Sequence, residues 1–171
     1  MITILPATSN DLETLCQLAI NIFSDTFESN NTTENLNAYL ASHFTPDQLF
    51  TEWSNPNSLF YIAFDNQKMI GFIKCNFATA QTEPNDNLGM ELQRIYVLKS
   101  YHGQQVAQRL MDQTVAVAIQ HKAQYIWLGV WEFNTKAIRF YEKNGFKIFD
   151  KHPFTMGNEV QTDYLMRKEV V

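Results

Sequence analysis

Residues 92–111 read LQRIYVLKSYHGQQVAQRLM, and the reading of this stretch decides the fold. Met90 to Leu98 is apolar and rich in residues that suit a strand. From Gln104 to about Gln120 the period changes to that of a helix, with Leu110, Met111, Val115 and Ala118 on one face. Tyr125 to Trp131, YIWLGVW, is a continuous apolar run of the kind found in a strand buried on both sides. Strand, loop, helix and strand in that order make a βαβ crossover, so the two strands should run parallel. The loop between the first strand and the helix lies where backbone amides and the positive end of a helix can hold an anion. It carries a single glycine, Gly103, so an inert strand-to-helix turn is the competing reading.

Outward from this unit the pattern is mixed. ITILPAT reads as a first strand, and Ser9 or Asn10 can cap a helix from Asp11, with Leu12, Leu15, Leu18 and Ile22 recurring at helical spacing. SNNTTEN interrupts it, TENLNAYLASHF reads as a second short helix, and TPDQLFTEW as a third, with Thr45 as cap and Pro46 in the first turn. LFYIAFDNQKMIGFIKCNF is a hairpin turning at Asp65-Asn66-Gln67, and AQTEPNDN is a polar loop. Toward the C-terminus, a helix capped by Asn134 ends before Gly145, and FKIFDK and QTDYLMRKE close the sheet as an antiparallel pair. The fold class is α+β with a mixed sheet, in one domain spanning residues 1–171.

Composition narrows the partners. A formal net charge of −5 without a basic run provides no cationic stripe for nucleic acid. No apolar run approaches a membrane span, and the N-terminus lacks a signal arrangement, so a cytoplasmic protein is expected. Cys16 and Cys75 lack ligand spacing and read as buried thiols, and His43, His102, His121 and His152 form no metal pattern. An exposed C-terminal edge strand offers a surface for a homodimer. Neither GxxxxGK[ST], GxGxxG nor GxSxG occurs, which argues against a kinase-type phosphate loop, a dinucleotide fold and a serine-nucleophile elbow.

Taken together, residues 92–111 and the following IWLGVWEFNTKAIRFYEKNGF resemble the GNAT superfamily of acetyl-CoA-dependent N-acetyltransferases. That family pairs [QR]xxGx[GA] after a strand with N-x-x-A-x-x-[FW]-Y-x-x-x-G-F after a second one. Asn134, Ala137, Phe140, Tyr141, Gly145 and Phe146 match the second motif throughout. FSDTF, YLASHF, IWLGVWE and MGNEVQTD are more narrowly similar to PaiA-type spermidine/spermine acetyltransferases. The loop departs from the family: His102 stands where Gln or Arg is usual and Gln105 where the first glycine is usual. Because the donors are backbone amides, a helical Gln105 with its side chain in solvent would leave the site usable.

The resemblance implies a mostly antiparallel sheet flanked by helices, with acetyl-CoA as cosubstrate and no metal. The pyrophosphate would lie on the loop His102, Gly103, Gln104, Gln105, Val106, Ala107 and Gln108. Pantetheine would pair with the edge of Ile95, Tyr96 and Val97 and contact Asn134, whose alternative reading is a plain cap. Tyr141 would protonate the departing thiolate, or else belong to the core with Ala137 and Phe140. A primary amine would attack directly after losing a proton. Glu91, Gln93, Ile95 and Val97 alternate onto one strand face. Glu91 is then the candidate base, against the reading of a solvated strand start. Asp25, Glu28, Glu34 and Tyr39 are candidates for a second cationic group of a polyamine, or ordinary surface. Acetylation of a protein or peptide α-amine, and a non-catalytic acyl-CoA-binding module, are the alternative functions.

Overall fold

The computed structural model describes residues 1–83, 86–156 and 159–170, together with the backbone alone at Asn30, Met156 and Glu159. Pro84 and Asn85 of the polar loop, and Gly157 and Asn158 of MGNEVQTD, lie outside the described residues. Seven strands form one sheet in the order β1-β2-β3-β4-β5-β7-β6. They are β1 (Ile2–Pro6), β2 (Ser58–Asp65), β3 (Lys68–Asn76), β4 (Gly89–Val97), β5 (Tyr125–Trp131), β6 (Lys147–Met156) and β7 (Glu159–Glu169). Every neighbouring pair is antiparallel except β4 and β5, the parallel pair that the crossover requires.

Among the described residues five α-helices cover the sheet: α1 (Leu12–Phe27), α2 (Thr33–His43), α3 (Pro46–Ser54), α4 (Val106–Gln120) and α5 (Thr135–Lys143). Leu15, Ala19, Phe23, Leu36 and Leu49 from α1–α3 pack with Phe60, Ile62 and Phe72 of the hairpin. Val106, Leu110, Met111 and Val117 of α4 form a second core with Ile73, Val97, Ile126 and Leu128. Each fully buried side chain of this size stabilises the fold by about 1.5–3 kcal/mol. Such burial fixes α4 behind β4 and β5 and so sets the position of the loop before it.

Local chemistry places the helix starts. Thr45 Oγ1 accepts the Gln48 amide at 3.1 Å and Pro46 opens α3, as its sequence requires. Ahead of α1 the capping residue is Thr8, at the start of the turn that leads into the helix, rather than Ser9 or Asn10. Its amide and hydroxyl both donate to Asp11, at 2.8 and 2.7 Å, so a short 3-10 turn (Ser9–Asp11) precedes the α-helix. The hairpin turns through Asn66, whose φ of 54° suits an asparagine in a two-residue connection.

Candidate functional site

β4 and β5 pair only at Gly89–Tyr125, Met90–Ile126 and Glu91–Trp127, then diverge. The cause is written in β4. Cys75 is opposite Leu92 and Lys74 opposite Arg94, so Gln93 is an extra, bulged residue. A bulge twists the strand away from its neighbour and opens a wedge in the middle of the sheet. The wedge widens into a cavity of about 620 Å³, lined on one side by Leu92, Gln93 and Ile95 to Val97 and on the other by Gly129, Val130 and Trp131.

One end of the cavity is the loop before α4. His102, Gly103, Gln105, Val106, Ala107 and Gln108 line it, as do Ile95, Tyr96, Val97, Asn134 and Tyr141; Gln104 does not. The first helical bond runs from the Arg109 amide to the Gln105 carbonyl at 3.0 Å. The amides of residues 106–108 are therefore free of the helix ladder, as at any helix start, and carry its positive dipole end. Gly103 and Gln105 have φ of 80° and 61°. Gln105 is thus left-handed, not helical as expected, because it occupies the turn position that glycine fills more cheaply. Its amide still precedes the helix, and the concave run of amides fits an anionic diphosphate group.

His102 is more than surface filler. Its Nε2 lies 3.0 Å from the Val97 carbonyl and its Nδ1 3.0 Å from the Lys136 ammonium. The lysine can only donate, so Nδ1 accepts and Nε2–H donates to Val97. The histidine thereby ties the loop to β4, and Lys136, which the sequence reading did not single out, supplies a cation at the cavity wall. Asn134 caps α5 by accepting the Ala137 amide at 3.2 Å and also lines the cavity, so both of its roles are geometrically compatible. Tyr141 is buried against Phe140 and Phe146, and burial pushes its hydroxyl well above the usual tyrosine range.

Glu91 is placed differently from the simple alternation. The bulge puts Glu91 with Arg94, opposite Asn76 and Lys74, rather than with Ile95 and Val97. Glu91 does not line the cavity. It is 3% exposed and accepts from Asn76 Nδ2 at 2.9 Å, the Thr82 amide at 2.9 Å and the Thr82 hydroxyl. Burial raises its pKa against the opposing effect of these bonds. Asn76 Nδ2 also donates to Gln93 Oε1 at 2.9 Å, so Glu91 reaches the cavity only through two amide side chains.

The other end of the cavity is aromatic. Phe27 meets Trp131 at a tilt, 6.2 Å between centroids, and Tyr39 meets Phe154 edge-on at 5.8 Å. Of the four acceptor candidates only Tyr39 lines it. Asp25, Glu28 and Glu34 are exposed, because α1 turns Ile22, Phe23, Thr26 and Phe27 to the cavity and Glu34 starts α2 on its outer side. The carboxylate at this end is Asp163 of β7, opposite Trp131 and His152 in the sheet. Its Oδ1 is buried with no hydrogen-bond partner among the described residues, and its Oδ2 lies 4.0 Å from His152 Nε2. Burial, with Glu132 adding to it against His152, raises its pKa to about 6. Asp163 closes the quoted stretch MGNEVQTD, but nothing in a strand pattern tells which carboxylate the sheet will turn inward. Among the described residues no cluster of His, Cys, Asp and Glu could hold a metal, and no helix is long and apolar enough to cross a membrane.

Comparison with known proteins agrees with this geometry. The model of the acetyltransferase (GNAT) family matches residues 17–146. An uncharacterized N-acetyltransferase from the pepI 3' region of Lactobacillus delbrueckii subsp. lactis is 31% identical over 170 residues, 99% of this chain and 98% of that protein. A spermidine N(1)-acetyltransferase of Thermoplasma acidophilum is 26% identical over 163 residues, 93% of this chain and 91% of that protein. The crystal structure of a PaiA N-acetyltransferase from the same organism, in complex with coenzyme A, superposes with a TM-score of 0.82. It is 24% identical and covers 99% of both chains.

Proposed function

The chain belongs to the acetyltransferase (GNAT) family, and from that premise we propose that it acetylates a primary amine of a polyamine such as spermidine or spermine. It is an acetyl-CoA-dependent N-acetyltransferase, and the acceptor class is what the proposal adds. The observation that carries it is the far end of the cavity, where an aromatic wall meets an inward carboxylate whose Oδ1 has no hydrogen-bond partner among the described residues. Such a site suits a cation on a methylene chain, since rings cover the methylenes and attract the charge. The Thermoplasma spermidine acetyltransferase, similar along nearly the whole chain, supports the same reading.

The residues divide the work. The loop amides of Gly103 and of residues 105–108, with Lys136 beside them, would hold the diphosphate of coenzyme A; the Gln104 amide is already donated to the Tyr101 carbonyl. The free edge of Ile95, Tyr96 and Val97 would take the pantetheine arm in the wedge, with Asn134 across from it. Backbone donors at that edge would stabilise charge growing on the thioester oxygen. Tyr141, kept protonated by its burial, would donate to the sulfur as the thiolate leaves. The amine arrives mostly as ammonium, since its pKa is near 10, and must lose a proton before its lone pair can attack. Glu91 is too enclosed to meet it and acts in this scheme as the anchor of the Asn76–Gln93 bridge.

The test is thiol release from acetyl-CoA with spermidine, spermine, putrescine, an aminoglycoside and a short peptide. The polyamines should turn over fastest. A peptide that outcompetes them would transfer the reading to α-amine acetylation, and coenzyme A binding without turnover on any amine would reduce the chain to a binding module.

A further inference from the structure

We propose that Asp163 is the group that receives the acceptor: it holds the ammonium in the cavity, takes its proton, and passes that proton through His152 to Glu83 at the surface. This inference rests on the N-acetyltransferase reading and names the residues that reading leaves unassigned.

The geometry comes first. Asp163 leaves β7 opposite Trp131, at the end of β5 that has parted from β4. Gly129 lies beside it in β5; a Cβ there would stand 3.6 Å from Asp163 Oδ2, and both residues line the cavity. The side chain keeps 15% of its exposure, and Oδ1 is the buried side-chain oxygen that no described residue satisfies. A buried acceptor without a donor costs about 1–3 kcal/mol. A fold retains such a group where a ligand supplies the donor, and an ammonium brings three.

The charges that face it point the same way. His152 on β6 stands 4.0 Å from Oδ2, just outside hydrogen-bond reach. Its other nitrogen, Nδ1, is 2.9 Å from Glu83 Oε1, and the Glu83 side chain is 53% exposed. Glu132, after β5, and the Tyr39 hydroxyl, from α2, complete the titratable surroundings, and neither is a cation. An incoming cation is therefore attracted to Asp163, and the imidazole that faces it is already bonded to Glu83 through Nδ1. A carboxyl pKa of about 6 also makes a better base near neutral pH than an ordinary aspartate.

The protons balance. The ammonium gives one proton to Asp163, and the freed nitrogen lone pair forms the N–C bond. The C–S bond breaks with its pair on sulfur, which takes the Tyr141 proton. The nitrogen then gives up its second proton, which restores Tyr141 through water. One proton per turnover remains; His152 Nε2 takes it from Asp163 once the ring closes the 4.0 Å gap, and Nδ1 passes a proton to Glu83 and so to solvent.

The experiment compares the wild type with Asp163→Asn, and with Asp163→Ser in case the amide alters packing, using spermidine and a weakly basic amine already neutral at pH 7. Both variants should bind coenzyme A as the wild type does. Asparagine or serine should lower kcat/KM for spermidine by roughly 10²-fold or more, the typical loss for one general base. The low-pH limb of the wild-type rate profile, with its midpoint near 6, should vanish, and the weakly basic amine should lose far less. A purely structural role would depress both amines equally and leave the pH limb in place. His152→Asn should lower kcat while leaving KM for spermidine nearly unchanged. Wild-type rates and an unaltered pH limb in both Asp163 variants would overturn the assignment while the acetyltransferase stands. Absence of turnover in the wild type itself would instead remove the premise.

Discussion

Gln105 shows how one residue can depart from a motif and keep its function. It stands at φ 61°, a conformation that costs a non-glycine residue about 1–2 kcal/mol, two residues after Gly103 at 80°. The fold accepts the cost because the turn is held elsewhere, by His102 on the Val97 carbonyl and by Val106 and Leu110 in the core. Gln105→Gly should therefore stabilise the protein by about 0.5–1 kcal/mol net of glycine's own entropy, and raise the melting temperature by about 1–4 °C. Differential scanning fluorimetry decides it; an unchanged or lower midpoint would mean that the side chain makes contacts worth more than the strain. Tyr141 offers the complementary case, a motif residue retained in full. Tyr141→Phe keeps the ring among Phe140 and Phe146 and removes only the hydroxyl. Turnover should fall by about 10²-fold with coenzyme A affinity unchanged, as isothermal titration beside the thiol assay would show. Equal losses of both would make the hydroxyl a structural group.

Elements were legible in the sequence wherever periodicity governs them, and less so where a single irregularity does. The hairpin, the crossover and the last helix follow from patterns that burial reinforces along their whole length. The bulge at Gln93 leaves no such trace, since a strand with one extra residue has nearly the same composition as one without it. Yet it moves Glu91 off the cavity face and starts the divergence from β5. The acceptor end was equally hidden, because Asp163 becomes distinctive only when β7 lies beside β5. Three charges on α3, β3 and β4 are a further long-range product of the fold. Glu52 accepts from Lys74 at 2.8 Å and from both terminal nitrogens of Arg94 at 2.8 and 3.2 Å. These side chains are 13%, 5% and 7% exposed, so the ions are nearly removed from water. The two cations hold the Glu52 carboxyl below the usual range despite its burial. Glu52→Ala would strand two buried positive charges, at a cost of about 3–5 kcal/mol, and lower the melting temperature on the order of 10 °C. A drop of only a degree or two would mean that water reaches the pair.

At the scale of the whole molecule the sheet is two halves joined narrowly. β1–β4 form a continuous antiparallel half and β5–β7 another, and three residue pairs connect them. Coenzyme A in the wedge would touch both halves, pairing with β4 on one side and packing on Val130, Asn134 and Tyr141 on the other. Any ligand that binds only the folded state stabilises it by RT ln(1 + [L]/Kd), about 2.7 kcal/mol at a hundredfold excess over Kd. For a chain of this size that raises the melting temperature by about 5–11 °C. Where the protection appears is the sharper test. Hydrogen exchange should slow at the loop amides and at Leu92–Val97, and also at Leu128–Trp131, because closing the gap suppresses opening of both edges. The pH dependence adds an independent check. Asp163 has its folded pKa raised from 3.8 to about 6, so the free protein gains stability as pH falls through 6 toward 4. Spermidine binding requires the ionised form and should weaken over the same interval. Asp163→Asn removes both effects and, by deleting a largely buried carboxylate charge, should raise the melting temperature at neutral pH while activity falls. Stability and turnover moving in opposite directions at one residue would show that the fold tolerates this carboxylate for the sake of its ligand. If both fall together, Asp163 supports the sheet, and the base must be sought elsewhere along the wedge.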